Sequence, residues 1–182
     1  MKRTVRTFLF LSALVTTLSA WSGAAVLAQE VPASAPARTF ELDGSMLKLL
    51  SLIVFETGTD KLKPESDTAL EHVKAYLEAK DYITLLRIEG HTDSDGDDQA
   101  NQELSEKRTL AVARWLIAHG VACERLIPVG FGENKPVQSN ETAEGKAANR
   151  RISFVNAQLR GRSIGGMPVD GGGRVAGDPC AK

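Results

Sequence analysis

The chain has 182 residues, 42% of them hydrophobic and 25% charged, with a formal net charge of −1; this is the composition of a soluble globular domain with tails rather than of a disordered chain. The balance of 22 basic against 23 acidic residues excludes electrostatic docking to nucleic acid as a main mode of binding. Aromatic residues make up only 5%, so the core must be mostly aliphatic.

Lys2, Arg3 and Arg6 open the chain, followed by the apolar run FLFLSALV and then AAVLAQE, where Val26 and Ala28 fit the small-residue pattern for cleavage after Ala28. Residues 1–28 therefore read as a secretory signal peptide, which sends the protein out of the cytoplasm. The alternative is an uncleaved anchor helix, because residues 7–28 nearly suffice to span a bilayer, although Thr16, Thr17, Ser19, Ser22 and Gly23 dilute the second half. No cysteine follows the apolar run, so a lipid anchor is not expected. Losing the three leader cations leaves 19 basic against 23 acidic residues, a net charge of −4.

Residues 29–48 read as a linker and N-terminal segment, with the Pro/Ala-rich spacer VPASAPA at 31–37. A domain is expected over 49–158, and its elements alternate. The β-branched apolar run LSLIVFE (50–56) reads as a strand and TGTDKLK as a loop. A helix begins at Pro64, with Glu65 and Asp67 in its first turn and Leu70, Val73 and Leu77 on one face. ITLLRIEG (83–90) reads as a strand, and a long helix follows from about Asp98 to His119, stopped by Gly120. RLIPVGFG (125–132) reads as a strand whose Pro128 hints at an edge. ETAEGKAAN supplies a short helical turn and RRISFVNA a last strand. Strands alternating with helices predict an α/β sandwich with helices packed on a mixed sheet.

Residues 159–182 form a glycine-rich tail that holds seven of the sixteen glycines and cannot be regular helix or strand for any length. Cys123 and Cys180 are the two cysteines. In an oxidising compartment a disulfide between them is expected, with two free thiols as the alternative. If unstrained, such a bridge is worth roughly 4 kcal/mol.

The long helix holds the sharpest clue. At 100° per residue, Leu104, Ala111, Val112, Trp115, Leu116 and Ala118 define an apolar arc, with Asn101 and Arg108 near its middle. A core-facing arginine is costly unless it is paired or reaches a wet pocket. Asp93, at the end of the preceding strand, is the candidate partner. The two could form a plain salt bridge, or hold a zwitterion between them, ammonium on Asp93 and carboxylate on Arg108.

The acidic run that follows fails as a calcium loop. Counted from Asp93, the sixth and twelfth positions hold Asp98 and Leu104; counted from Asp95, the sixth is Ala100. His72, His91 and His119 lack zinc-ligand spacing. His91, Thr92 and Asp93 do not make a catalytic set, because adjacent strand residues point to opposite faces. There is no nucleophile elbow or phosphate-binding glycine loop. His91 reads as a structural histidine, and no enzyme activity, metal or cofactor is expected.

The ordered segments IVFETGTDKLKPES, IEGHTDSDGDDQANQELSEKR, RLIPVGFGENKP and NETAEGKAANRRISF together resemble the OmpA-like peptidoglycan-binding domain, over about residues 50–156. The resemblance implies a β-α-β-α-β-α-β fold and non-catalytic binding of the peptidoglycan stem peptide at its diaminopimelate residue. It places the amine on Asp93 and the carboxylate on Arg108. It also implies pocket roles for Thr57, Thr92, Asn101 and Arg150. Partners implied are the stem peptide and an outer-membrane protein, with the protein in the periplasm or on the periplasmic side of the outer membrane of a Gram-negative bacterium. Glu56 and Thr109 depart from the family's usual Asp and Ala. The other reading is a periplasmic structural or interaction protein whose domain no longer binds ligand.

Overall fold

A computed structural model of the protein describes residues 39–181; the leader and the Pro/Ala-rich spacer lie outside them. Two short strands come first, β1 (Leu42–Asp43) and β2 (Met46–Leu47). A turn of 3-10 helix at Pro64–Ser66 leads into α1 (Asp67–Ala79). Then follow β3 (Ile83–His91), α2 (Asp98–Ala118), β4 (Leu126–Gly132), α3 (Ala143–Asn149) and β5 (Ile152–Leu159). The tail adds β6 (Arg162–Ser163) and β7 (Arg174–Val175). The sheet order is β1-β2-β5-β3-β4-β7, with β6 paired to β5. β3 and β4 run parallel and the other pairs antiparallel, so the sheet is mixed, as the alternation of elements implied.

The helices cover one face. Leu70, Val73, Tyr76 and Leu77 of α1 and Val112, Ala113 and Leu116 of α2 close over Leu86, Ile88, Leu126 and Phe154 of the sheet. Each large apolar side chain buried there contributes about 1.5–3 kcal/mol. Arg125 holds the corner where α1 meets β3. Its Nη2 donates to Leu77 O and Lys80 O, which the end of α1 leaves open, and to Ile83 O at the start of β3, all at 2.9–3.1 Å.

Two expectations need correction. LSLIVFE is not a sheet strand. The Ser66 hydroxyl bonds both Val54 N (2.8 Å) and Val54 O (2.9 Å), and Lys63 N also donates to Val54 O. The segment therefore folds onto its own loop through a single Phe55–Leu62 bridge, and β2 takes the place beside β5. Leu50 and Leu52 are left exposed.

The buried arc of α2 is also displaced by one position. It runs through Asn101, Ser105, Thr109, Val112, Ala113 and Leu116, while Leu104 and Arg108 are half-buried on the flank and Ala118 is exposed. Glycines in the sheet cause this. A Cβ on Gly90 would lie 2.6 Å from Ser105 O and Thr109 Cγ2, and one on Gly130 2.6 Å from Ser105 Oγ. Helix and sheet thus approach backbone to backbone through small residues rather than through leucines.

The tail holds only two-residue strands, as its composition requires; β7 pairs with the outer edge of β4, and the expected disulfide between Cys123 and Cys180 is formed and ties the tail to the domain. Pro128 accepts from Ala176 N at 2.9 Å, so the side of β4 on which the proline lacks a donor is the side β7 covers.

Candidate functional site

Two residues beyond β3, Asp93 sits at the mouth of the turn into α2 and is buried. The turn is fixed from several sides. Thr92 N donates to Gly132 O, and Asp95 N donates to Asp93 Oδ1. Asn101 Nδ2 donates to Asp93 O, Asp95 O and the Glu133 carboxylate, at 3.3, 3.1 and 2.9 Å. Asn101 is therefore the knot that ties this loop to the end of β4.

The loop's remaining acids have local duties. Asp97 caps α2 by accepting from Ala100 N, Asp98 lies in the first turn, and Asp95 pairs with Lys146 of α3 at 2.6 Å.

The ion pair of Asp93 is made with Arg150, not Arg108. The plain Asp93–Arg108 salt bridge allowed by the sequence is thus replaced by another pairing. Asn149 explains the placement of Arg150. Fully buried, it accepts from Val137 N and Gln138 N and donates to Gln138 O and Asn140 Oδ1. This pins the preceding loop and directs the next residue at the site.

Arg108 donates from Nε to Thr59 O at 2.9 Å and lies over the Phe55 ring, 5.0 Å from its centroid. Its terminal Nη groups make no hydrogen bond to any described residue. Burial and the neighbouring Arg150 charge push the guanidinium below its ordinary value, while Asp60 and Asp93 oppose the shift. With its Nη donors open, the Arg108 guanidinium can take an incoming carboxylate in a bidentate fork.

Of the other residues singled out from sequence, Thr92 is buried with its Oγ1 unpartnered among the described residues. Thr57 is exposed at the tip of the loop and makes no hydrogen bond to the other five. Phe55, Thr59, Glu133 and Asn149 were missed; all act through backbone oxygens, ring faces or loop bracing that no residue spacing announces.

His91 is buried beneath this site, on the other face of β3. It stacks on Phe131 at 5.3 Å between centroids and lies 3.4 Å from the Glu89 carboxylate. Burial holds its pKa below the ordinary value against the opposing pull of Glu89. Burial alone would raise the Glu89 carboxyl. The neighbouring His91 ring, the hydrogen bond from Arg87 and the charges of Arg87 and Lys135 outweigh it, and bring it down to about 2.

Comparison with known proteins finds a match to the OmpA family over residues 54–150. The outer-membrane lipoprotein YfiB of Pseudomonas aeruginosa is 36% identical over 118 residues, covering 64% of this chain and 70% of that protein. The peptidoglycan-associated lipoprotein of Pseudomonas putida is 34% identical over 123 residues, covering 65% and 73%. Outer membrane porin F of Pseudomonas fluorescens is matched over only 33% of its length. Among solved structures, the peptidoglycan-associated lipoprotein from Burkholderia pseudomallei superimposes with a TM-score of 0.52 at 28% identity, covering 59% of this chain and 89% of that one.

Proposed function

The chain belongs to the OmpA family, and we propose that it is an exported, peptidoglycan-associated protein of the cell envelope that binds the wall without catalysis. The finer reading is that it grips the diaminopimelate of a stem peptide at the turn between β3 and α2. The ligand's carboxylate takes the two free Nη groups of Arg108 in a bidentate fork. Its ammonium goes to Asp93, displacing or sharing Arg150, and the buried Thr92 hydroxyl gains a partner. Asn101 positions the turn, and the exposed loop of Thr57 offers backbone groups to the ligand.

The observation that carries this reading is Arg108, a half-buried guanidinium with its terminal donors unused and a second cation close by. A buried charge left in that state is costly, and a carboxylate relieves it.

Sedimentation with purified sacculi tests the proposal. Arg108→Ala and Asp93→Asn should each leave the protein in the supernatant, a loss of about 2–5 kcal/mol for a buried charge partner, with thermal stability checked alongside. Undiminished pelleting by both variants refutes the site. The Asp93–Arg150 contact favours a second reading, in which an internal cation has replaced the ligand and the domain serves structural or interaction roles. On that reading the wild-type protein itself stays in the supernatant.

A further inference from the structure

The sheet face away from the helices carries Arg87, Glu89, His91, Val129 and Phe131. Alternation along a strand makes such a face the solvated one, yet Arg87 is only 5% and Glu89 6% exposed. The tail covers them. Val169 O accepts from Arg87 Nη1 at 2.9 Å, and Gly171 O accepts from Lys135 Nζ at 3.4 Å.

The approach is close enough to require glycine. A Cβ on Gly171 would lie 2.6 Å from Arg87 Cζ, and one on Gly173 2.5 Å from Val129 Cγ1 and 2.7 Å from Phe131 Cζ. Beyond this, Arg174 pairs with Glu106 of α2, β7 adds its two residues to β4, and Cys180 closes onto Cys123.

Apart from that covalent bond, the attachment is thin. The β7 ladder is two residues long, and Gly172, Arg174, Val175, Gly177, Asp178 and Cys180 are exposed. A cavity of about 250 Å³ lies where the tail leaves the sheet, between Arg87, Asn156, Met167 and Pro168. The helical core lies on the opposite face. Segments with few buried contacts open at low free energy while the core stays closed.

We propose that residues 167–180 are a redox-latched strap. With the Cys123–Cys180 bond closed, the strap seals the Arg87–Glu89–His91 face and the outer edge of β4. Its reduction by a dithiol releases the strap as a unit and leaves the helical side folded. In the reduction, one thiolate of the dithiol attacks the sulfur of the exposed Cys180, breaking the bond to Cys123. The second thiolate then attacks the mixed disulfide. Two electrons pass to the protein, both cysteines end as protonated thiols, and the dithiol leaves as a cyclic disulfide.

Amide hydrogen exchange on the full chain, oxidised and then reduced with dithiothreitol, tests this. On reduction, exchange at Gly173 and Ala176 should approach the rate of unprotected amides, while Ile88, Leu116 and Phe154 stay slowed at least about a hundredfold relative to unprotected amides. A Cys123→Ser, Cys180→Ser double variant should reproduce the reduced pattern without reductant. Unchanged protection of Gly173 and Ala176 after reduction overturns the latch, because other contacts then hold the strap. Loss of protection throughout the domain also overturns it, because the bond is then a staple of the whole fold.

Discussion

Replacing Glu89 with glutamine should cost the fold roughly 3 kcal/mol at neutral pH, and the cost should vanish in acid. The carboxyl has an ordinary value of 4.5, which serves for the unfolded chain, and titrates at about 2 in the fold. The ionised form therefore stabilises the native state, and a gap of that size corresponds to roughly 3 kcal/mol. The contribution is fully present above about pH 4.5 and is lost as pH falls through about 2. Glutamine keeps the volume and can still meet Arg87 Nε, which lies 2.7 Å from the carboxylate, but it leaves Arg87 and Lys135 without a counter-charge under the strap. Urea unfolding of wild type and Glu89→Gln at a series of pH values from 7 to 2 isolates the effect, because the other carboxylates titrate equally in both. The stability difference should be constant down to about pH 4.5 and then close. A difference that stays the same across the whole range would refute the assignment.

Other outcomes follow from the same geometry. His91, whose pKa burial depresses, stays neutral in the fold while the unfolded chain protonates it near its ordinary 6.5. Stability should therefore fall as pH drops below 6.5, and His91→Gln should flatten that slope in a urea titration. Gly90→Ala forces a Cβ to within 2.6 Å of Ser105 O and should cost about 1–3 kcal/mol by chemical denaturation, since the helix backbone must retreat. Arg125→Ala strips the donor from Leu77 O and Lys80 O at the end of α1 and from Ile83 O at the start of β3. It should lower stability by about 1–3 kcal/mol, with exchange rising first at the last turn of α1.

How much of this was legible in the sequence depended on which atoms make the contacts. The face of α1 could be read directly, because Leu70, Val73 and Leu77 are both its apolar residues and its contact residues. On α2 the apolar count pointed one position away, because the contact surface is Ser105 and Thr109 against Gly90 and Gly130, and small polar residues carry no hydrophobic signal. The run at 50–56 has strand composition, but composition cannot show that the Ser66 hydroxyl captures Val54 from 12 residues away. At the site, Asp93, Thr92, Asn101, Arg108 and Arg150 do come together around the turn into α2. The pairing was hidden because Arg150 reaches Asp93 across 57 residues of chain. The tail's glycines signalled irregular backbone correctly, and gave no sign that two of them allow the chain to lie against an arginine and a phenylalanine.

The strap and the Glu89 carboxylate bear on each other, and this gives a further prediction. In a domain ending at the close of β5, the side chains of Arg87, Glu89 and His91 would line a wet sheet face, and an exposed Arg–Glu pair is worth at most about 1 kcal/mol. Their strength here comes from being covered by residues 169–173, which exclude water and supply Val169 O to the guanidinium. Opening the latch should therefore devalue the ion pair as well as expose it. Measured in the reduced protein, the Glu89→Gln penalty should shrink from roughly 3 kcal/mol toward the surface value of about 1 or less. The comparison is a double cycle, with oxidation state on one axis and residue 89 on the other, followed by urea unfolding at pH 7. Equal penalties in the two states would mean that the strap does not set the environment of Glu89. The burial of that face would then have to arise from the sheet's own side chains, Phe131, Val155 and the stem of Arg151.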